Sequence, residues 1–558
     1  MRLPEGEAKL LKRVQQVIQD CRVSQDTRAN MAREQRQWKL TGSPDGKTAI
    51  FNRLEAHIDR LSSYLFSPVD LRFLMEFEND YPQEILKQAD VSAKFLTKKV
   101  EETGLDTVFG LAVNEALTYG TCFVKLMWGH DGLAGRLVMP WQIGVYHEGR
   151  LSLNEQEAVV ESNYITLFEL WRRISHLPNA TELYKRAKDY AKKGDTESPE
   201  YSYFHQVTLS GSSPIVDTSS GGVPSPAGVV GVDGSNFGPQ LSPEVTAQLV
   251  LFHELTVIDD VTGDYTTIQM AEPDIIITPR GGKKHNLFLK GQLPYVKVQP
   301  NLTPGYFWGR SELTPLLKMQ SLLRDRLEDI KKLMSLQYDR LLAFTGFSGM
   351  NDEKYDAFKE AGWVSEDTPG AKVEDLTPKL PDAAFADVKE ILQFMDDISG
   401  FHNILGGQGE SGVRSGNHAQ TLLRTASPRM RQKATYVERQ CAEMGDKAFN
   451  LLAAKDARNL WVGDTADDRK LFQLASVPED HRIVVDSHSA SPVYEEDHKQ
   501  LAAFLLKARI IDGESVLDML HLPMRDLLKA RYKQMKQAEQ QFLQQHPELL
   551  TKGKGRAK

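Results

Sequence analysis

The spacing of apolar residues predicts three amphipathic helices and several short strands in the N-terminal third of the chain. Apolar side chains recur at three- and four-residue steps, in the sets Leu10, Leu11, Val14, Val17, Ile18 and Cys21, then Phe51, Leu54, Ile58, Leu61 and Leu65, then Leu86, Ala89, Ala93, Leu96 and Val100. Alternation over residues 71–78 predicts a mostly half-buried strand, and runs at 121–128, 136–139 and 144–147 predict others. Residues 1–165 are therefore expected to be α+β.

The middle of the chain alternates between helical and strand patterns. Thr166 and Glu169 can cap a helix over residues 167–175, and a second helix is expected at 180–193. Gly, Ser and Pro supply about 20 of the 34 residues at 210–243, which predicts a mobile surface insertion. Strand patterns at 249–258, 265–271, 274–278 and 295–299 predict a small β-rich module flanked by helices.

The longest helical pattern lies at 311–342. Ser311 can cap it, and its apolar residues keep a three- or four-residue step that only Gln320 interrupts. At 1.5 Å per residue, about 30 residues span roughly 45 Å, so we expect a strut across most of the molecule. The opposite face carries charges of both signs, which favours a solvated or subunit-facing surface.

The C-terminal part is predicted to be helical. A helix at 383–402 leads into a glycine-rich loop at 405–416, and a long helix follows at 417–455, which Ser427 and Pro428 should kink or restart. Further helices are expected at 495–509, 514–520 and 524–545, before a basic tail.

Composition places the chain among globular proteins of several domains. It has 558 residues, 41% hydrophobic and 26% charged. Lys and Arg total 68 against 76 for Asp and Glu, and the net charge of -8 disfavours tight wrapping of DNA phosphates. The sequence contains no apolar run of about 18 residues and no apolar signal-peptide core, so we expect the protein to stay where it is synthesised.

Candidate chemistry is sparse. Cys21, Cys122 and Cys441 are far apart, so we expect reduced cysteines rather than a disulfide or a zinc site. The glycines of the 405–416 loop spell GxGxxG, but a helix instead of a strand precedes them, which disfavours a dinucleotide site. The P-loop lysine is missing, and no HExxH or GxSxG motif occurs. We expect no cofactor and no metal.

Two polar groups leave other interpretations open. Asp486 and His488 lie beside a predicted strand, and together with the glycine-rich loop they would suit a hydrolase or nucleotide-binding enzyme. A basic tract could meet phosphates or form a solvated helix face, and it consists of Arg424, Arg429, Arg431, Lys433 and Arg439. A helical scaffold or adaptor without a channel is a third interpretation.

The order of the elements resembles that of the portal proteins of tailed bacteriophages. The resemblance extends over nearly the whole chain and is clearest in TYGTCFVKLMW at 118–128, LPYVKVQPNLTPGYFWGRSELTPLL at 293–317, SGNHAQTLLR at 415–424 and ARIIDGESVLDMLHLP at 508–523. It implies a portal-type α+β fold with an α/β wing, a long stem helix, a β-rich clip and a helical crown. It also implies a ring of about twelve subunits around a DNA channel and no enzymatic activity.

The resemblance implies a division of the chain. Residues 1–165 and 343–382 would form the wing, 166–310 the clip with a flanking stem segment and the 210–243 insertion, and 311–342 the stem helix. Residues 383–416 would form the tunnel helix and loop, and 417–558 the crown or barrel. The second stem helix has no firm counterpart; residues 166–193 are a candidate that Pro178 interrupts.

The site that faces DNA would lie in the tunnel loop and at the start of the next helix. Its positions are Leu405, Gly407, Gly409, Glu410, Gly412, Arg414, Asn417 and His418. Five glycines among residues 405–416 give the backbone freedom to shift as DNA passes. Asn417 and His418 could donate to phosphates in contacts that break easily.

The resemblance also implies partners and a location. The partners would be other copies of the chain, double-stranded DNA passing without sequence preference, the terminase large subunit, the major capsid and scaffolding proteins, and a head-tail adaptor. The protein would be made in the host cytoplasm and would occupy the portal vertex of the virion, where it would serve genome packaging, retention and ejection. No membrane partner is expected.

Overall fold

The structure is a computed structural model with mixed helices and sheets, in agreement with the predicted α+β class. It describes residues 7–44, 49–68, 71–129, 132–193, 249–258, 264–278, 288–289, 291–338, 342–345, 351–353, 372–378, 383–400, 428–462, 470–485 and 504–508, with the single positions 356, 370, 381, 513, 516, 531, 532 and 535. The predicted insertion at 210–243 and most of the predicted C-terminal helices lie outside these residues.

The described residues form nine α-helices: α1 (Glu7–Thr41), α2 (Arg53–Leu65), α3 (Gln83–Glu102), α4 (Leu105–Tyr119), α5 (Leu167–Ile174), α6 (Ala180–Lys193), α7 (Leu317–Tyr338), α8 (Ala384–Ser399) and α9 (Pro428–Lys455). Thr166 caps α5 as predicted, because its hydroxyl accepts a hydrogen bond from the Glu169 N–H at 3.1 Å. The described part of α9 starts at Pro428, so the predicted kink or restart at Ser427 and Pro428 stays a prediction. The predicted part of that helix at 417–427 lies outside the described residues.

The strands form two larger sheets and three two-stranded ladders. They are β1 (Phe73–Phe77), β2 (Cys122–Gly129), β3 (Gly132–Val138), β4 (Ile143–Val145), β5 (Ala158–Thr166), β6 (Leu249–Ile258), β7 (Tyr265–Ala271), β8 (Ile275–Thr278), β9 (Tyr295–Val298), β10 (Leu342–Thr345), β11 (Lys372–Asp375), β12 (Asn459–Val462), β13 (Lys470–Gln473) and β14 (His481–Val485). The sheet orders are β4-β5-β6-β7-β8 and β3-β2-β9, and the ladders are β1-β14, β10-β11 and β12-β13.

The expectation of a separate β-rich module at 249–299 is wrong in its extent. The strand β6 pairs along its length with β5, from Ala158 opposite Val257 to Thr166 opposite Leu249. The strand β9 belongs to the other sheet, where it pairs with β2. Because β4 and β5 come from the predicted N-terminal region, the two regions share one sheet, which packs on α1 through one face and on α5 and α6 near its edge.

The long helix is shorter than predicted. It begins at Leu317 and contains 22 residues, so it is about 33 Å long. Ser311 does not cap it directly: the Ser311 hydroxyl donates to the Thr118 carbonyl and accepts from the Leu313 N–H. Residues 313–316 form turns before the helix starts. Strand β10 begins at Leu342, where the predicted helix would still continue.

Candidate functional site

The eight predicted channel positions lie outside the described residues. They belong to residues 401–427, between α8 and α9, of which the structure gives no description. The structure does describe α8 and α9, the helices on either side of this segment, and their contacts determine where its two ends lie. Helix α8 ends at Ser399, and Gly400 follows with a positive φ of 71°. The described part of α9 runs from Pro428 to Lys455.

Helices α7 and α8 run antiparallel to each other. Near the start of α7, Gln320 contacts Arg53, which also binds the end of α8. Further along α7, the Arg326 Nε lies 3.0 Å from the Asp387 carboxylate at the beginning of α8. The ladder β10-β11 lies between the two helices in sequence. We call α7, β10, β11 and α8 the arm.

Arg53 fixes the base of the arm. Its guanidinium donates to the Asp396 carboxylate at 2.6 Å and to the Leu392 carbonyl at 3.1 Å, both on α8. Its backbone N–H donates to the Gln320 side chain on α7, and the Gln320 amide donates back to the Phe51 carbonyl. One residue at the start of α2 therefore holds both helices of the arm.

Burial decreases along the arm away from this base. Gln320 and Leu323 are fully buried, Ile330 is almost so, and every described residue of β11 is exposed. Large apolar side chains stay exposed on the helices, with Tyr338 at 84%, Phe385 at 58% and Phe394 at 45%. Phe385 and Phe394 are nine residues apart, which is two and a half turns, so they point in opposite directions. The arm thus exposes apolar groups on more than one side.

Three polar side chains spaced seven residues apart bind helix α9 to β9 and to the segment between β9 and α7. Spacing of two turns puts them on one face of the helix. The bonds are Lys433 Nζ to Glu312 Oε2 at 2.7 Å, Gln440 Nε2 to the Gln299 carbonyl at 3.1 Å and Lys447 Nζ to the Tyr295 carbonyl at 2.6 Å. Lys433 is buried, so it cannot belong to a solvated basic stripe or meet phosphates. Arg424 lies outside the described residues.

Buried charges connect α9 to the base of the arm. Burial by itself would raise the pKa of Glu312, but Lys433 and Asn301 outweigh it and hold that pKa below the usual range. His57 on α2 lies near Glu312, Lys433, Arg53 and Asp396, and burial lowers its pKa to about 4. The imidazole is therefore neutral at pH 7 inside a cluster of ion pairs. The two helices that flank residues 401–427 are held by this one cluster.

A second buried ionic cluster lies where the two larger sheets meet. Lys125 Nζ donates to Glu161 and to Glu254, each at 2.7 Å, and Tyr295 donates to Glu161 at 2.6 Å. Arg136 also binds Glu161. Burial would raise the pKa of Glu161, but Lys125 and Arg136 lower it to about 2.

This cluster lines a cleft of about 520 Å³. Asn163 also donates to Glu161, and Gln269 donates to the second oxygen of Glu254. All four oxygens of Glu161 and Glu254 therefore accept hydrogen bonds from protein groups. The cluster joins two sheets and offers no uncommitted acid or base for catalysis.

A serine, a histidine and a glutamate line up in the five-stranded sheet. The Ser162 hydroxyl lies 2.8 Å from His253 Nδ1, and His253 Nε2 lies 3.5 Å from the Glu272 carboxylate. Ser162 is fully buried and accepts a further bond from Gln25 on α1. A nucleophile must reach its substrate, so this group holds α1 on the sheet rather than forming a hydrolytic triad.

Of the other candidate residues from the sequence, the three cysteines are buried and the Asp486–His488 pair lies outside the described residues. Cys21, Cys122 and Cys441 are free and buried in α1, β2 and α9, as predicted, and burial raises the pKa of the Cys21 thiol to about 12. Asp486 and His488 lie outside the described residues. No group of three His, Cys, Asp or Glu side chains within the described part of the chain is placed to hold a metal ion.

Neither a scan against protein-family models nor a search of curated proteins finds a match. Within the described ranges, no helix combines the length and the apolar character needed to cross a membrane.

Proposed function

We propose that the protein is the portal protein of a tailed bacteriophage, forming a ring around a DNA channel at one capsid vertex. The observation that carries the proposal is the arm: two antiparallel helices, joined through a strand pair, that Arg53 holds to the body at one end. Such an element buries too little surface to be stable alone, and neighbouring copies would cover it.

The arm provides the second stem helix that the sequence left unassigned. In this proposal α7 and α8 together form the stem, so α8 is no longer the tunnel helix that the sequence predicted at 383–402. The ladder β10-β11 at the far end of the stem forms the clip instead of part of the wing. The clip therefore moves from 249–299 to the region between α7 and α8. Support comes from the pairing of β6 with β5, which builds the 249–278 strands into the body beside α1. Residues 166–193 then belong to the wing.

The exposed side chains of the arm support a ring of identical subunits. Phe385 and Phe394 point in opposite directions on α8, so a single neighbour cannot cover both. A closed ring gives each subunit two different neighbours and leaves no exposed end. Its subunit number, about twelve, is part of the proposal.

The DNA-facing loop of the proposal is the segment between α8 and α9. Both helices are fixed by ion pairs at their ends near this segment, the half-buried pair of Asp396 with Arg53 on α8 and the buried pair of Lys433 with Glu312 on α9. Rigid supports on both sides would position a glycine-rich loop while leaving its backbone free to move. Double-stranded DNA would pass without sequence preference, and the terminase, capsid, scaffolding and adaptor proteins would bind the outer surfaces.

The functional test is a deletion of residues 407–412, which removes four residues between Gly407 and Gly412 together with those two glycines. Because the deletion spares both supporting helices, we expect rings of normal size and particles that package or retain less DNA. A matched deletion of six residues within the 210–243 insertion serves as the control and should leave the DNA content unchanged. Particles of the loop deletion with DNA of normal amount and length would refute the assigned role.

A further inference from the structure

The outer surface of α5 and α6 combines exposed aromatic groups with positive charge. Leu170, Ile174, Leu183 and Ala187 pack inward against the five-stranded sheet. On the outside, Phe168 is 72% exposed and Trp171 is 38% exposed, and Trp171 makes an edge-to-face contact with Tyr184. Contiguous exposed aromatic groups mark interaction surfaces on soluble proteins.

The charges around these aromatics are strongly unbalanced. Residues 167–193 contain seven Lys and Arg against three Asp and Glu, a net charge of +4. Arg173 pairs with Glu169, and Arg186 pairs with Asp274. Arg172, Lys185 and Lys188 are exposed and have no ion pair within the described parts of the chain. We call Phe168, Trp171, Arg172, Lys185 and Lys188 the basic helical surface.

An acidic surface of equal and opposite net charge lies on another part of the molecule. At the end of the β1-β14 ladder, five acids come together with a single Arg, a net charge of -4. The acids are Glu76, Glu78, Asp80, Glu479 and Asp480. Leu74 on the same outer face of β1 is 46% exposed. We call Leu74 and the five acids the acidic ladder end, and it overlies a different hydrophobic cluster from α5 and α6.

A second copy of the chain suits the basic helical surface better than nucleic acid does. The chain has a net charge of -8 although residues 167–193 contribute +4, so the remainder carries -12 and repels a polyanion. Each surface has exposed apolar groups beside its charges, and the charges of the two surfaces are opposite in sign. Protein interfaces commonly have such an apolar centre with a polar rim. Two different complementary surfaces on one chain produce a head-to-tail contact.

We infer that the basic helical surface of one copy docks on the acidic ladder end of the next copy in the ring. The inference rests on the proposed ring and adds the surfaces that set its order. Phe168, Trp171 and Leu74 supply apolar contact, and the charges select the head-to-tail arrangement over like-with-like contact. Contact between the two copies removes both charge imbalances at once.

Charge reversal in the full-length protein tests this pairing by sedimentation velocity. The first variant carries Lys185→Glu and Lys188→Glu, and the second carries Glu78→Lys and Asp80→Lys. Each variant alone brings the net charge of one surface to zero, from +4 for residues 167–193 or from -4 for the ladder end. It also sets two reversed side chains against a surface of their own sign, so the concentration for half assembly should rise about tenfold or more. The control Lys9→Glu with Lys12→Glu reverses two exposed charges on α1 and should assemble like the wild type.

Recombining the charges gives the decisive result. In an equimolar mixture of the two variants, the unchanged surfaces can meet each other, and the reversed side chains of one variant can meet oppositely reversed side chains of the other. Assembly should therefore return, as it should in the fourfold variant, where each contact joins reversed side chains of opposite sign. Circular dichroism melting controls for folding of each variant. Wild-type assembly by either variant alone, or failure of both the mixture and the fourfold variant to assemble, overturns the pairing while the ring itself stands. A monomeric wild type overturns the ring as well.

Discussion

Gly120 and Gly309 bring their backbones together so closely that a Cβ on either would lie 2.2 Å from the carbonyl oxygen of the other. Gly120 ends α4 and Gly309 precedes the segment that leads into α7. Around them, the Gly309 N–H donates to Thr121 and the Glu312 N–H donates to the Leu117 carbonyl. The segments at 118–128 and 293–317, two of the four on which the expected resemblance was based, therefore pack directly against each other.

Gly309→Ala should strongly destabilise the protein. Its φ is not in the left-handed region, so the effect is purely steric: the new Cβ would meet backbone atoms of Gly120 and Asn301, which cannot move aside like a side chain. We expect a loss of about 2–4 kcal/mol in the free energy of unfolding, measured with urea. Gly149→Ala is the control, since a Cβ there meets nothing within 4 Å. Equal stability of the two variants would contradict the close contact.

Ile330→Pro should disrupt the arm. Proline at this position removes a hydrogen bond inside α7 and clashes with the preceding turn, at a cost of about 3 kcal/mol or more per subunit. Ile330→Ala also removes the isoleucine side chain but keeps the backbone hydrogen bond. It therefore separates the loss of side-chain packing from the disruption of the helix. Thermal melting and assembly yield are the measurements. Wild-type yield and melting temperature in the proline variant would mean that α7 is not a continuous helix.

Elements whose apolar residues follow one clear pattern could be predicted from the sequence. Elements whose apolar pattern is interrupted or weak could not. Helix α6 and the strands β6 and β7 have the predicted bounds, because α6 keeps the helical period of its apolar residues and the two strands are rich in apolar and β-branched residues next to turn residues. Strand β5 was missed because Glu161, Ser162 and Asn163 interrupt its apolar run. These residues are polar because they bind Lys125, His253 and Gln142. Helix α4 was missed because its outward side carries Leu111, which is 53% exposed, so the contrast between an apolar and a polar face is weak.

The supports of the candidate site depend on contacts that no local pattern reveals. Arg53 and Asp396 are 343 positions apart, and each is an ordinary charged residue in its own segment. Lys433 appeared as one of several bases on a helix, although its partner Glu312 lies 121 positions away. The seven-residue spacing of Lys433, Gln440 and Lys447 was the available signal, because polar residues on one face of a helix can mark a buried polar seam.

His57 should make the protein less stable as the pH falls below neutral. Its folded-state pKa is about 4 against an ordinary 6.5, so only the unfolded chain gains a proton between these values. The loss should reach about 3 kcal/mol on going from pH 6.5 to pH 4. Urea titrations of the wild type and of His57→Gln give the measurement. Between pH 6.5 and pH 4, the unfolding free energy of His57→Gln should fall by about 3 kcal/mol less than that of the wild type. The same pH dependence in both proteins would exclude His57 as the cause.

Lys433→Met should be more harmful than replacing both partners of its ion pair. The single change leaves Glu312 buried without its cation, at a cost of about 3–5 kcal/mol. Combining it with Glu312→Gln removes the charge, so part of the stability should return. Differential scanning calorimetry of the wild type, both single variants and the double variant gives the coupling energy. Additive losses in the double variant would show that the pair is not coupled.

The central claim is that this chain forms a closed ring around a channel. Negative-stain class averages of the purified full-length protein, with native mass spectrometry of the same sample, test it most directly. The account predicts rings with a central hole, because closed symmetry leaves no interface uncovered. It also predicts a single subunit number close to twelve. Compact monomers at micromolar concentration, or open filaments without closure, would contradict it.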